Sequence, residues 1–372
     1  MKPIIKWTGG KTSELKEIVK LIPKYNRYIE PFFGGGAVFF HLAPQKAIIN
    51  DISPNLMDYY KLIKAQDECL YNLLIDYNES FHHMLGVAEK HIDVLYGIFY
   101  NAKNHLLSKK LIYDKAVKFV ELIEDEILEG FAVHLILDRD MFIQILKYNL
   151  ADKIFRTVLM YRQHLLSNLN INNNLVTGLA SGYYMYYRKL YNDINLNKVK
   201  SPSLAYKVAN FYFIREYCYG AMFRYNSEGE FNIPYGGISY NKKHLKPKIN
   251  EMFNQNMQRL FQNTDIYCMD FEIFLTKIKP CSSDFIFLDP PYDTKFSSYD
   301  NRDFNKFDQE RLACLLKQTV AKFILIIQDT PFIKKLYTKD FNIVSFDKLY
   351  RCNIKGRNPR NTRYLIVSNM NI

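Results

Sequence analysis

The residues best suited to chemistry are Asp289-Pro290-Pro291-Tyr292, which follow the apolar run Phe285-Ile286-Phe287-Leu288. Such a run reads as a strand buried on both faces of a sheet. The carboxyl ends of strands in an open α/β sheet are where ligands bind. Two consecutive prolines fix the backbone there and remove two amide donors. A rigid pair of acceptors is left, the Asp289 carboxylate and the Pro290 carbonyl, beside the flat π-face of Tyr292. This set suits a planar group bearing an exocyclic amine, whose two N–H donors need two acceptors. A proline-rich turn without chemistry is the plainer alternative.

A second constellation is Tyr28-Ile29-Glu30-Pro31-Phe32-Phe33-Gly34-Gly35-Gly36, followed by an expected helix at Ala37–His41. Strand, glycine cluster and helix in that order form a nucleotide-cofactor turn, because glycines let the backbone turn sharply and approach a ligand. Asn50-Asp51 lies at the end of the next expected strand, about 20 residues on, where an acid accepts hydrogen bonds from ribose hydroxyls. Phe32 and Phe33 would wall an adenosyl group. The G-x-G-x-x-G of a dehydrogenase is absent. A third stretch, Lys6-Trp7-Thr8-Gly9-Gly10-Lys11, lacks P-loop spacing and by itself says little.

These residues need a sheet to hold them. Buried-strand runs are expected at Tyr28–Pro31, Ala47–Asn50, Ile266–Met269, Phe285–Leu288, Phe323–Ile327, Ile343–Phe346 and Tyr364–Val367. Helical patterns fall between them at Ser13–Leu21, Leu56–Lys64 and Gln309–Val320. The alternation predicts a doubly wound α/β layer. Residues 70–180 instead carry helical spacing throughout, at Tyr71–Tyr77, Val94–Leu106, Lys115–Leu128 and Met141–Leu150, and the asparagine-rich Asn168–Leu175 reads as a loop closing that block. The expected organisation is therefore residues 1–69 and 265–372 as two parts of one domain, 70–180 as a helical insertion, and 181–264 as a recognition region.

The composition agrees with a packed globular chain. Of 372 residues, 48% are hydrophobic, with only 15 Gly and 13 Pro, which excludes disorder and fibrous repeats. The six scattered cysteines form no C-x-x-C pair, so a reducing, cytoplasmic setting is expected. No apolar run approaches the ~20 residues of a membrane span, and no signal-peptide core follows Met1. His82-His83 has no ligand partner at metal spacing, so no metal is expected.

Taken together, the three stretches resemble the Dam-type (alpha-class) family of adenine-N6 DNA methyltransferases, over residues 4–64 and about 183–368. The family's K-W-x-G-G-K corresponds to Lys6–Lys11, its E-P-F-x-G-x-G to Glu30–Gly36, and its N/A-D-I-N/S to Asn50–Ser53. Its R-Y-N-x-x-G-x-F-N-x-P-x-G corresponds to Arg224–Gly236, its D-P-P-Y to Asp289–Tyr292, and the trailing F-x-x-Y with a later Phe to Phe296, Tyr299 and Phe304. Gln328-Asp329-Thr330 resembles the S/N-x-D-T that follows the fifth strand. The resemblance implies a Rossmann-like methyltransferase sheet with helices on both faces, the cofactor S-adenosylmethionine, and double-stranded DNA as substrate.

It also implies roles. Asp289, Pro290, Pro291 and Tyr292 would be catalytic. Trp7 and Lys11 would sit near the methionine end of the cofactor, with Glu30, Phe32, Phe33, Gly34, Gly36 and Asp51 around it and Asp270-Phe271 at its adenine. Tyr219, Arg224, Asn226, Asn232 and Tyr299 would face DNA, Arg224 reading guanine and Tyr219 wedging into the base stack. One departure is visible: the family's Asn-Gly after that aromatic is Gly220-Ala221 here. Members work beside a cognate restriction endonuclease or alone, and both stay open. So do cytosine-N4 methylation and a catalytically silent DNA-binding role, although a leading Asp in D-P-P-Y favours adenine.

The formal net charge is +12, from 50 Lys and Arg against 38 Asp and Glu, which hints at a polyanionic partner. Residues 70–180 hold 11 basic and 13 acidic residues, so the excess lies elsewhere. Lys348–Arg363 alone carries Lys348, Arg351, Lys355, Arg357, Arg360 and Arg363 with no acid, and Lys355, Arg357 and Arg360 are expected to touch phosphates.

Overall fold

A computed structural model describes residues 1–7, 14–104, 108–166, 168–291, 298–299, 302–349 and 361–371. In chain order, α1 (Leu15–Lys20), β1 (Arg27–Glu30), α2 (Ala37–Leu42), β2 (Ala47–Asn50) and α3 (Pro54–Lys64) come first. A helical run follows: α4 (Glu68–Lys90), α5 (Ile92–Asn104), α6 (Lys109–Glu129), α7 (Arg139–Arg162), α8 (Asn168–Asn195), α9 (Leu204–Tyr217), α10 (Ile238–Asn241) and α11 (Lys246–Met252). The alternation then resumes with α12 (Gln255–Gln262), β3 (Thr264–Tyr267), α13 (Phe271–Ile278), β4 (Asp284–Leu288), a short pair β5 (Ser298–Tyr299) and β6 (Arg302–Asp303), and α14 (Lys306–Gln318). It ends with β7 (Lys322–Gln328), α15 (Pro331–Tyr337), β8 (Asn342–Leu349) and β9 (Asn361–Ser368). The chain packs as two compact units, residues 1–65 with 254–372, and residues 66–253.

The first unit is built on a seven-stranded sheet in the order β3-β2-β1-β4-β7-β9-β8. All pairs are parallel except those made by β9, which runs antiparallel between β7 and β8. Every residue of β2 and β4 is buried, which is why these strands read as continuous apolar runs. Ile29, Ile286, Leu288, Phe323, Leu325 and Leu365 share a core with Phe274 of α13 and Leu312 and Leu316 of α14. Successive strands run outward from β1 to β3, and the chain then returns to place β4 on the other side of β1. That reversal is the switch point at which such sheets bind ligands.

Most of the expected strands form, and β3 shows what displaces one. It spans Thr264–Tyr267, two residues earlier than the expected Ile266–Met269. The Asn50 side chain captures the next segment: its Oδ1 accepts the Met269 N–H at 3.0 Å and its Nδ2 donates to the Met269 carbonyl at 3.0 Å.

In the second unit, Asn168–Leu175 is the beginning of α8 and not the expected loop. Asparagine is a poor helix former. The deciding factor is burial of Ile171, Leu175, Val176 and Leu179 on one stripe. The asparagines also find helical partners, as when Asn174 Nδ2 donates to the Asn170 carbonyl at 2.8 Å. The helix continues unbroken past residue 180, so the boundary expected there falls inside it. Gly178 and Gly182 bring α8 close to α7, because a Cβ at either would come within 2.8 Å of Leu150 or Leu146. Among the described residues no helix is long and apolar enough to cross a membrane.

Candidate active site

At the carboxyl edge of β1 the chain turns through Pro31–Gly36. The Phe33 N–H donates to the Asn50 carbonyl at 2.9 Å, and the Gly36 N–H to the Phe33 carbonyl at 2.8 Å. Asn50 Nδ2 donates to the Pro31 carbonyl at 3.0 Å. Asp51 then latches the turn: Oδ2 accepts the Gly34 N–H at 2.8 Å and Oδ1 accepts the Ser53 N–H at 3.0 Å. Tyr60 of α3 closes the set by donating to the Gly34 carbonyl at 3.1 Å. Gly34 and Gly36 adopt φ of +50° and +63°, and a Cβ would meet the Trp7 ring at 2.7 Å or the Phe33 ring at 2.5 Å. Only glycine fits either position.

The two phenylalanines of the turn part company. Phe33 is buried, edge-on against Phe39 and Tyr60. Phe32 is partly exposed and joins Phe271 and Phe304, with ring centroids 5.3 and 5.6 Å away. Phe271 opens α13, whose N-cap is Asp270, with Oδ1 accepting the Glu272 N–H at 2.9 Å. Arg311 of α14 clamps this corner from Asp270 at 2.7 Å, Glu272 at 2.6 Å and Asp308 at 2.8 Å, and lies over the Phe271 ring.

β4 lies beside β1 in parallel register, Ile29 opposite Ile286, so Asp289-Pro290 emerges next to the glycine turn. Asp289 is partly exposed and Pro290 is buried. The Pro291 carbonyl accepts from Gln309 Nε2 at 3.2 Å. Glu30, the last residue of β1, is buried and accepts the Tyr28 hydroxyl at 2.7 Å. Burial, with the negative charges of Asp289 and Asp51 nearby, pushes its carboxyl well above the usual range despite the Tyr28 hydrogen bond. Lys11, Tyr292, Lys355, Arg357 and Arg360 lie outside the described residues, and Tyr299 falls on β5. Tyr60, Gln309 and Arg311 were not foreseen, since nothing in their local sequence marks them. Among the described residues no three His, Cys, Asp or Glu side chains gather as a metal site.

The second unit holds the Arg224–Gly236 stretch as an irregular hairpin, with antiparallel bridges Cys218–Tyr235 and Tyr225–Phe231. Asn226 builds its tip, its Oδ1 accepting the N–H groups of Glu228 at 3.0 Å and Glu230 at 2.8 Å. Arg224 is exposed, and its Nε reaches Asn232 Oδ1 at 3.4 Å. Tyr219 is 47% exposed on a turn in which Gly220 has φ +63°. Helix α8 supports the hairpin from beneath. Tyr184 and Arg188 donate to the Ile233 carbonyl, and Asn192 pairs with both backbone groups of Phe231 at 3.0 and 2.8 Å. At the end of α9, Glu216 is buried between Lys243 and Lys248. Burial would raise its carboxyl, but the two ammonium groups outweigh it and bring it down to about 2.

A seven-stranded sheet with one antiparallel strand near its edge, and a glycine turn at its switch point, is that of a Rossmann-like methyltransferase. The chain belongs to the D12 class of N6 adenine-specific DNA methyltransferases, whose family model matches residues 7–94 and 142–352. It is similar to the type II methyltransferase M.MjaIII of Methanocaldococcus jannaschii, 27% identical with 94% of this chain and 88% of that protein covered. It is also similar to M1.LlaDCHI of Lactococcus lactis subsp. cremoris, 25% identical over 99% and 95% of the two chains. M.CviBI of Paramecium bursaria Chlorella virus NC1A is 24% identical over 99% and 100%. The protein is thus an adenine-specific DNA methyltransferase. The match takes in all of α4 and α8 and most of α7, and the internal stretch outside the family pattern is 95–141.

Proposed function

We propose that this chain transfers a methyl group from S-adenosylmethionine to N6 of an adenine flipped out of double-stranded DNA, using Asp289 and Pro290 as acceptors for the amine. The observation that carries the reading is the placing of Asp289-Pro290 beside the glycine turn at the sheet's switch point. The turn fits the cofactor. Its glycines let the backbone turn tightly against Trp7 and Phe33 at the end of β1, and the Gly34 and Ser53 N–H groups hold the Asp51 carboxylate at that turn, where it would meet the ribose hydroxyls. Phe32 and Phe271 supply an aromatic wall for the adenosyl group, Asp270 borders it, and Trp7 lies against Gly34.

Bound S-adenosylmethionine supplies an electrophilic methyl group on a sulfonium. Asp289 Oδ and the Pro290 carbonyl accept hydrogen bonds from the two N6–H groups, which draws the nitrogen lone pair out of conjugation with the ring; as the N6–CH3 bond forms, the S–CH3 bond breaks to leave the neutral thioether, and N6 gives up one proton to solvent. Tyr292 stacks on the flipped base. Positioning and fixed dipoles supply the rate, and no covalent enzyme intermediate is needed. Flipping costs a few kcal/mol, which contacts to the duplex offset. Region 181–264 provides those contacts through Arg224 and Tyr219, while Asn226 shapes the hairpin that presents them. Lys355, Arg357 and Arg360 add phosphate contacts.

The test is incubation of the purified chain with labelled S-adenosylmethionine and a random-sequence duplex library, followed by nucleoside analysis and sequencing of modified sites. N6-methyladenine within one sequence context is expected. Asp289→Ala should abolish transfer while cofactor binding persists, and near-normal turnover in that variant would overturn the assignment.

A further inference from the structure

The Asp289-Pro290-Pro291 segment has a mechanical problem. Prolines at two of its three positions cannot donate backbone hydrogen bonds, so the segment cannot be held through its own amides there. Its upstream end is secured by the sheet, where Leu288 pairs with Leu325. Its downstream end is held through a carbonyl. The donor is Gln309, on the first turn of α14, whose Nε2 meets the Pro291 oxygen at 3.2 Å.

Gln309 is an unusual residue for its place. It is fully buried on a helix whose neighbouring buried positions are Leu312, Ala313 and Leu316. Its Oε1 is buried with no hydrogen-bond partner. An orphan acceptor of this kind is destabilising, and an apolar side chain of similar length would avoid the cost. What the amide provides that a leucine cannot is the donor to Pro291. The helix beneath it is itself fixed: Asn305 and Asp308 form a reciprocal capping box, and Arg311 ties the same turn to Asp270 and Glu272.

We propose that Gln309 is a positioning residue for methyl transfer, pinning the Pro291 carbonyl so that the Asp289 and Pro290 acceptors are held at the geometry the amine requires. This rests on the reading of Asp289-Pro290 given above. Gln309 touches neither base nor cofactor in this role; it acts through the turn. A misplacement of about an ångström at such acceptors lowers the chemical step by about 100-fold.

The experiment uses the full chain and a duplex carrying the site found by sequencing. Single-turnover rates, KM for DNA and cofactor affinity are measured for wild type, Gln309→Leu and Gln309→Glu. Gln309→Leu removes the donor together with the orphan acceptor. Its rate should fall about 10- to 100-fold, with cofactor affinity and melting temperature at or above wild type. A wild-type rate in folded Gln309→Leu overturns the proposal. Gln309→Glu gives an independent readout if the leucine variant does not fold. Only the protonated acid can donate to Pro291, so its rate relative to wild type should rise several-fold as pH falls from about 8.5 to 6. A ratio flat with pH overturns the proposal. If wild type itself transfers no methyl to this duplex, the reading of Asp289-Pro290 fails instead, so the two failures are distinct.

Discussion

Single residues in this chain carry opposite electrostatic burdens, and Glu30 is the clearest. It is buried at the end of β1, near two other carboxylates, and its folded-state pKa lies well above the ordinary 4.5. A raised carboxyl is favourable to folding while it stays protonated. Its contribution is fully present below about 4.5 and is lost as pH rises through the folded value. Glu30→Gln keeps an acceptor for the Tyr28 hydroxyl and removes the titration. Denaturant unfolding of both proteins at pH 5 and pH 8 should show the glutamine variant gaining on wild type at the higher pH. A gap that does not change with pH would contradict the burial argument. At this scale the sequence was legible where the residue type fixes local geometry, as in the positive φ of Gly34 and Gly36. It was not legible at Arg311, whose partner Asp270 is 41 residues away, or at Tyr60, 26 residues from Gly34. Those residues owe their roles to topology, and no local spacing encodes it. Phe32 and Phe33 make the same point, since adjacent letters end up with one ring in the aromatic wall and the other in the core.

Among the elements, α8 joins the helical packing to the Arg224–Gly236 hairpin. One face packs on α7 through Gly178 and Gly182, and another holds the Arg224–Gly236 hairpin. That hairpin makes a short set of cross-strand bonds of its own, Asn226 N–H to the Glu230 carbonyl and Asn232 N–H to the Arg224 carbonyl, and side chains beneath it hold the backbone groups these leave over. Asn192 is the critical one, because it satisfies both the N–H and the carbonyl of buried Phe231. Asn192→Ala leaves both groups without their partner, and a loss of about 2–3 kcal/mol is expected. Hydrogen exchange should accelerate over residues 224–236 before the rest of the unit opens. Uniform acceleration across the unit would mean that the hairpin is not separately held. Strands such as β2 and β4 were legible because short continuous apolar runs suit strands buried on both faces of a sheet. The start of α8 was not, because five asparagines among residues 168–175 signal a loop while the burial that overrides them is tertiary. The end of β3 was missed for a similar reason, with one asparagine side chain on a neighbouring strand diverting the backbone.

For the whole molecule the question is whether +12 is a functional field or a compositional accident. The sheet-bearing unit holds 28 Lys and Arg against 18 Asp and Glu, and the helical unit 22 against 20. The helical unit is itself divided. Residues 66–180 hold 11 basic and 15 acidic residues, whereas 181–253, with the hairpin, hold 11 and 5. A lysine-rich composition alone would spread across all three segments. The excess instead follows the segments proposed to meet DNA, and it avoids residues 95–141, which fall outside the family pattern and hold 6 basic and 8 acidic residues. Phosphate contacts release condensed counterions, so binding that uses this field must weaken steeply with salt. Affinity for a random-sequence duplex, measured by fluorescence anisotropy, should fall about 1,000-fold or more between roughly 50 and 200 mM salt, the loss expected for about six phosphate contacts. Charge-neutral substitutions of Lys110 and Lys115 on α6 should leave that slope unchanged, because the segment carrying them has no positive excess. A shallow slope for wild type would return the charge to composition. A slope that drops with the α6 variants would instead put the helical insertion on the DNA.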